Sequence, residues 1–189
     1  MKPIRTFIAV EISAAVRAKA EELIGLLRTT QADVKWVEPQ NLHLTLQFLG
    51  DVPENQIADV CSAVARGAEE VAPFTLEIRG AGAFPNLGKP RTLWLGAQDG
   101  MDQMTDLHDR ITLALADLGF QDEERRFQTH LTIGRVKSTK NVSLLGPLLR
   151  QHAEFSAGVF PVDKAIVFSS RLERGGPIYE KLATARLRA

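Results

Sequence analysis

Two short segments of the sequence carry the same combination of a histidine and a threonine. The first is HLTL at residues 43–46, and the second is HLTI at residues 130–133, 87 residues further along the chain. Because side chains alternate between the two faces of a β-strand, the histidine and threonine of each segment share one face. Two such copies would arise by chance in roughly one sequence in a thousand of this composition. The repetition therefore predicts a site with two imidazoles and two hydroxyl groups.

Several kinds of chemistry are excluded by the residue types. Cys61, the one cysteine, falls in the middle of a predicted helix and is assigned to the core, which leaves no thiol for catalysis. A metal site needs three or more protein ligands, and neither predicted strand has an aspartate or glutamate beside its histidine. The two threonines lack an activating lysine or terminal amine, so covalent catalysis is not expected. No metal and no cofactor are therefore predicted.

Acid–base catalysis at a phosphorus atom fits the same residues. One imidazole of the pair His43 and His130 can accept a proton from an attacking oxygen while the other protonates the leaving oxygen. The hydroxyl groups of Thr45 and Thr132 can meanwhile form hydrogen bonds to the phosphate oxygens. The sequence thus predicts in-line attack on a phosphate.

A basic segment surrounds the second motif. Residues 125–140 contain five lysines and arginines and no acidic residue. On its own this composition indicates a solvated surface, and beside the second motif it also fits a phosphate-attracting patch. Arg135 is a candidate phosphate ligand, on the condition that its strand ends or bulges at Gly134. Without a bulge, simple alternation places Arg135 on the same face as Leu131.

The remaining aromatic and histidine residues give weaker signals. Phe7, Phe48 and Tyr179 are candidates for stacking on a nucleotide base, and each could instead belong to the core. His108 lies on the apolar face of a predicted helix and is assigned a structural role. His152 lies near a helix C-terminus and is assigned no function.

The spacing of apolar residues predicts the elements that must position these side chains. Strands are expected at 5–12, 34–37, 42–49, 74–84, 92–97, 127–136, 162–169 and 178–187. Helices are expected after a cap at Ser13 and at 53–70, 101–118 and 142–152, with Asp51 as the cap of the second helix and a bulge at Gly80 and Gly82. We predict one α+β domain over residues 1–189, in which two similar lobes line a central groove with antiparallel sheets and carry helices outside.

Composition places the chain among ordinary globular proteins. It has 189 residues with 23 basic and 23 acidic side chains, so no overall charge attracts nucleic acid or anionic lipid. A single cysteine excludes a disulfide framework. The apolar run near the N-terminus is short and is followed at once by Glu11, which suits neither a signal peptide nor a membrane span. We expect a cytoplasmic monomer with no membrane partner.

Four segments resemble a known family over nearly the whole chain. They are RTFIAVEI, WVEPQNLHLTLQFLGDVP, FQTHLTIGR and IVFSSRLERGGPIYEKL. They resemble the RNA 2′,3′-cyclic phosphodiesterases, historically called 2′-5′ RNA ligases, of the 2H phosphoesterase superfamily. The resemblance implies a two-lobed fold with a pseudo-two-fold axis. It also implies that His43 is the proton donor and His130 the proton acceptor, and Arg135 matches an arginine that follows the second motif.

The expected function is hydrolysis of a terminal RNA 2′,3′-cyclic phosphate to a 2′-phosphate. The same geometry run in reverse would join RNA ends by a 2′-5′ linkage. The expected partners are RNA ends carrying the cyclic phosphate, either tRNA-like or short oligonucleotides, or small cyclic nucleotides. Two alternatives remain open: a phosphodiesterase for small cyclic nucleotides or 2′,5′-oligonucleotides, and a non-catalytic module that binds RNA ends.

Overall fold

Nine strands and four α-helices alternate along residues 2–189, the part of the chain described by the computed structural model. The strands are β1 (Ile4–Glu11), β2 (Val34–Trp36), β3 (His43–Val52), β4 (Phe74–Phe84), β5 (Thr92–Ala97), β6 (His130–Val136), β7 (Ser156–Val162), β8 (Lys164–Glu173) and β9 (Gly176–Arg186). The helices are α1 (Ala14–Arg28), α2 (Ile57–Glu69), α3 (Met101–Ala116) and α4 (Leu145–Gln151).

All the strands belong to one antiparallel sheet in the order β7-β4-β5-β6-β3-β1-β8-β9, and β2 pairs separately with β6. The middle of the sheet is the contact between β3 and β6, where Leu44 pairs with Leu131. This contact divides the sheet into a His43 lobe, formed by β3, β1, β8 and β9, and a His130 lobe, formed by β6, β5, β4 and β7. The predicted α+β class with two similar lobes is confirmed.

The helices cover one side of the sheet and leave the other side to the motifs. Helices α1 and α4 pack against β7 and β4 of the His130 lobe, whereas α2 packs against β8 and β9 of the His43 lobe and carries α3. Helix α1 begins where the sequence predicts, because the Ser13 hydroxyl accepts a hydrogen bond of 3.2 Å from the Val16 N–H. Its predicted apolar face is buried and consists of Val16, Ala20, Leu23, Ile24 and Leu27.

The lobes do not correspond to the two halves of the sequence. The hairpin of β8 and β9 returns to the His43 lobe and pairs with β1, with Phe7 opposite Phe168. Helix α1 follows β1 in the chain but covers the other lobe. Each lobe therefore takes elements from distant parts of the chain.

Two predicted elements need correction, and one strand has no counterpart in the prediction. Asp51 does not cap a helix: it lies within β3 opposite Arg5, and α2 begins after a 3₁₀ turn at Glu54–Gln56. Strand β6 begins at His130 rather than at residue 127. Strand β7 was not predicted because its sequence contains Gly158 and Pro161; it is an edge strand, where proline is tolerated.

No helix within residues 2–189 is long and apolar enough to span a membrane.

The predicted bulge in β4 is confirmed, since the register with β5 shifts between Ile78 and Ala81 and Gly80 has a φ of 88°.

Candidate active site

A cleft of about 980 Å³ lies on the face of the sheet that carries the motif residues. His43, Thr45, His130 and Thr132 all line it. The apolar residues between them, including Leu44 and Leu131, are buried under the helices. The structure therefore brings the four predicted polar side chains into one cavity.

The register at the centre of the sheet relates the two motifs. Because Leu44 pairs with Leu131 in antiparallel strands, the neighbours of one leucine run opposite to those of the other. This places His43 on the side of Thr132, and Thr45 on the side of His130. This crossed register of the two motifs is the one that a pseudo-two-fold arrangement requires.

Both imidazoles are held by the same kind of hydrogen bond. Nδ1 of His43 lies 2.6 Å from the carbonyl oxygen of Asn41, and Nδ1 of His130 lies 2.7 Å from the carbonyl oxygen of Gln128. A carbonyl oxygen only accepts, so Nδ1 of each ring carries the hydrogen and donates it. Nε2 is then the nitrogen that each ring has for proton exchange.

The surroundings of His43 are largely aromatic. Its ring lies 4.9 Å from the Phe7 ring and 5.4 Å, edge-on, from the Tyr179 ring, measured between centroids. Its Nε2 is 2.9 Å from the Thr45 hydroxyl. Burial lowers the pKa of His43; the Asn41 carbonyl opposes this shift, and the positive charges of Arg135 and His130 add to it.

His130 has a different environment. The rings of Phe84 and His130 are nearly perpendicular, with an interplanar angle of 87° and a centroid distance of 5.1 Å. Phe84 also packs against Trp94 on the neighbouring strand. Sequence analysis did not single out Phe84, because it contacts His130 only through pairing of β4, β5 and β6.

Arg135 reaches the cleft because strand β6 contains a bulge. Gly134 pairs with Leu93, but Thr132 pairs with Trp94, so Ile133 is the extra residue. The bulge returns Arg135 to the face of the motif residues, and its guanidinium lies 3.5 Å from the Thr92 hydroxyl. The irregularity that the sequence required near Gly134 is present.

The three candidate stacking residues occupy different depths. Phe48 is 54% exposed and lines the cleft. Tyr179 is half-buried and also lines it, and burial raises the pKa of its phenol. Phe7 is only 2% exposed and packs in a small cluster with Phe168 beneath the cleft. The burial of Phe7 favours support of the His43 ring over stacking on a base.

His108 fixes the segment that leads into the second motif. Its ring is buried and stacks on Phe127 at a centroid distance of 4.1 Å and an interplanar angle of 9°. Its Nδ1 lies 2.9 Å from a carboxylate oxygen of Asp109, and its Nε2 lies 3.3 Å from one of Asp122. Phe127 directly precedes Gln128, whose carbonyl holds His130. The structural role predicted for His108 therefore includes anchoring this segment.

The other two residues set aside in the sequence analysis lie away from the motifs. Nδ1 of His152 lies 2.9 Å from the Leu148 carbonyl oxygen and donates to it, because that oxygen only accepts. Cys61 is a free cysteine in α2, and burial raises the pKa of its thiol. Residues 2–189 contain no group of three or more metal-ligating side chains.

The fold and the cleft together define a phosphoesterase of the two-histidine class: an α+β protein in which each half brings a His-x-Thr strand to a shared cavity. The family comparison agrees with this assignment. The model described as LigT like Phosphoesterase matches the chain twice, over residues 10–94 and over residues 95–179. The chain belongs to this family, and the resemblance found in the sequence is confirmed.

Similar proteins match over nearly their whole length. An RNA 2′,3′-cyclic phosphodiesterase of Methanothermobacter thermautotrophicus is 34% identical, over 97% of this chain and 99% of its own. One of Archaeoglobus fulgidus is 35% identical, over 94% of this chain and 97% of its own. The crystal structure of a Thermus thermophilus protein has a TM-score of 0.83 at 29% identity and covers 98% of both chains.

Proposed function

We propose that this phosphoesterase hydrolyses the 2′,3′-cyclic phosphate at the end of an RNA and leaves a 2′-phosphate and a free 3′-hydroxyl. The observation that carries the proposal is the matched orientation of the two imidazoles. Both Nδ1 atoms are fixed by backbone carbonyls, and both rings line one cleft. The names of the relatives with 34–35% identity support the cyclic phosphate as substrate.

The proposed reaction uses one proton transfer at each imidazole. Nε2 of His130 accepts a proton from water as the water oxygen forms a bond to phosphorus. The bond between phosphorus and the 3′-oxygen breaks, and protonated His43 gives its Nε2 proton to that oxygen. These two roles rest on the family resemblance. After the reaction His130 is protonated and His43 is neutral, so a proton must return to His43 before the next turnover.

The hydroxyls and Arg135 stabilise the phosphate during this displacement. We assign Thr45 and Thr132 as donors to its non-bridging oxygens, which gain negative charge in the transition state. Arg135 supplies a positive charge from the same face of β6. With the 5′-hydroxyl of a second RNA in place of water, the same groups would form a 2′-5′ linkage.

The substrate's charge also addresses the protonation of His43. Burial lowers the pKa of this residue, whereas a proton donor must be protonated at the start of the reaction. A bound phosphate anion beside the ring favours the charged imidazolium and so raises the pKa of His43. Substrate binding therefore favours the charged form of the donor.

We further propose that residues 1–189 act as one bilobal domain and as a cytoplasmic monomer. One chain supplies both motifs of the cleft. The strands of the His43 lobe come from both ends of the sequence, so neither lobe is a separable segment. Size-exclusion chromatography with light scattering tests the monomer.

Product analysis tests the proposed reaction. A short oligoribonucleotide ending in a 2′,3′-cyclic phosphate should yield a 2′-phosphate end, while the same RNA ending in a 3′-phosphate serves as a control and should remain unchanged. A 3′-phosphate product would reverse the assigned orientation of the two histidines. Tight binding without turnover would identify a binding module, and turnover confined to a nucleoside cyclic phosphate would identify an enzyme for small nucleotides.

A further inference from the structure

Three cations form a strip that leads away from the motif residues along β6 and β2. Lys35 and Arg135 are directly opposite each other in the antiparallel pair, and Lys137 lies two residues beyond Arg135. All three are exposed and line the cleft. We refer to Lys35, Arg135 and Lys137 as the basic strip.

Without a bound anion, repulsion among the charges of the basic strip destabilises the folded protein. Like charges directly opposite on neighbouring strands repel and destabilise the pair. None of the three takes part in an ion pair within residues 2–189, although Asp33 lies two residues before Lys35, just outside β2. Other cations of the chain do have partners, for example Lys181 with Glu11. A bound anion would relieve this repulsion.

Three other arginines line the cleft, and their surroundings differ from those of the basic strip. Arg28 lies over the Trp36 ring, 6.0 Å from its centroid. Arg125 and Arg126 also line the cleft, but they directly follow Asp122, Glu123 and Glu124 in the sequence. The acidic side chains of that segment outnumber its arginines. The basic strip therefore supplies positive charge to the cleft wall without an adjoining run of acidic residues, in a chain whose total charge is zero.

One cyclic phosphate does not account for all three cations. Thr45, Thr132 and Arg135 are sufficient for the phosphate at the histidines. Lys137 lies just past the end of β6, two residues beyond Arg135, and two residues of extended chain span about 6.6 Å. That spacing is comparable with the separation of successive phosphates in an extended RNA strand.

We propose that the basic strip binds backbone phosphates on the 5′ side of the terminal nucleotide, so that the substrate is an RNA strand rather than a mononucleotide. This inference rests on the proposed function and specifies its substrate class. A nucleoside 2′,3′-cyclic phosphate has no further phosphate and would leave Lys35 and Lys137 without a ligand.

The test compares two substrates in a variant that spares Arg135. The double variant Lys35→Gln/Lys137→Gln should lower the ratio of kcat/KM for a cyclic-phosphate oligoribonucleotide to kcat/KM for the nucleoside cyclic phosphate by about tenfold at low salt. The matched control is Lys19→Gln/Lys164→Gln, which removes the same charge outside the cleft. It should leave the ratio unchanged. An unchanged ratio in the strip variant, with its fold intact by circular dichroism, would overturn the proposal.

A binding measurement keeps this test independent of turnover. Fluorescence anisotropy with a labelled oligoribonucleotide ending in a 3′-phosphate should give a plot of log affinity against log salt. Its slope should be shallower by about 1.4 in the strip variant, since each lost phosphate contact on a single strand contributes about 0.7. An equal slope in wild type and variant would refute the binding of backbone phosphates by the basic strip. If wild type cleaves neither substrate, the proposed function is wrong. The slope of the salt plot still tests whether the basic strip binds RNA phosphates.

Discussion

The His43 lobe and the His130 lobe offer the same motif in different surroundings. In both lobes a backbone carbonyl two residues before the histidine fixes Nδ1. His43 is then enclosed by Phe7 and Tyr179, whereas His130 packs against the ring of Phe84 and shares its strand with Arg135. The repeated motif gives both imidazoles the same Nδ1 hydrogen bond. Residues outside the repeat give the two imidazoles different surroundings. An acid–base pair needs both properties.

The difference also separates two kinds of recognition. Aromatic side chains on the His43 side, including the exposed Phe48, provide an apolar surface. The His130 side provides the basic strip. A terminal base and a charged backbone could thus be bound on opposite sides of the same phosphate.

Removing either imidazole should have the largest effect and should show that the lobes are equally necessary. His43→Ala and His130→Ala should each lower kcat by at least about a hundredfold, because each removes a general acid or base. The double variant should be little worse than either single variant, since the two transfers belong to one displacement. Initial rates with a cyclic-phosphate oligonucleotide measure the loss of kcat, and circular dichroism shows whether each variant is folded.

His108→Ala is the matched comparison for the motif variants. It removes a buried imidazole that contacts Phe127 and Asp122 but does not belong to either motif. Its turnover should fall by less than about tenfold, through displacement of the segment before His130. A loss as large as that of the motif variants, in a folded protein, would place the active centre elsewhere.

Removing the hydroxyl groups should have an intermediate effect that distinguishes the motifs. Thr45→Val and Thr132→Val should each lower kcat/KM by about tenfold, the value of one hydrogen bond to a charged group. Only Thr45 contacts the imidazole of its own motif, so only Thr45→Val should also change the pH dependence. Thr45→Ser, which keeps the hydroxyl, should restore both. Identical pH profiles for Thr45→Val and Thr132→Val would contradict this asymmetry.

Titration of the free enzyme should sharpen the contrast around His43. Burial and the charge of Arg135 lower the pKa of His43, so its ring should lose its proton below the usual pH of a histidine. Arg135→Gln removes a repelling charge and should raise the pKa of His43. In wild type, added inorganic phosphate should raise the pKa of His43 above its value in the free enzyme, because the anion stabilises the imidazolium.

Nuclear magnetic resonance of the histidine ring protons measures these shifts directly. Arg150→Gln is the control, because Arg150 lies on α4 outside the cleft. It should leave the titration of His43 unchanged. If Arg135→Gln left the pKa of His43 where it is in wild type, the guanidinium would not act on this ring.

Removal of metal ions should have the smallest effect, namely none. Two imidazoles perform both proton transfers in the proposed reaction, and no step calls on a metal-bound water. Excess EDTA should leave kcat and kcat/KM at their untreated values in the product assay. A loss of activity that added Mg²⁺ or Mn²⁺ restored would refute the two-histidine mechanism.

The sequence was most informative where local periodicity decides the outcome. Alternation along HLTL and HLTI predicted which side chains face the cleft, and the cap at Ser13 predicted the start of α1. Even the bulge required by Arg135 could be stated as a condition before the pairing was known. These inferences depend on neighbours within a few residues.

Other features depend on pairing between distant segments and had no local signal. Lys35 opposite Arg135 follows from the register of β2 with β6, and Phe84 reaches His130 through two intervening strand pairs. The two residues that fix Nδ1, Asn41 and Gln128, act through backbone carbonyls, so their side-chain types carry no signature.

Because β8 and β9 return to the His43 lobe, the two sides of the cleft are completed at different times during synthesis. The four strands of the His130 lobe are all present once Val162 has left the ribosome, whereas β1 must wait for β8 to pair with its free edge. Contacts between such distant segments form slowly, because a long loop must close first. Tyr179, which covers the His43 ring, lies on β9 and arrives later still. The surroundings of His130 are therefore complete in the nascent chain before those of His43, which wait for the second hairpin to dock.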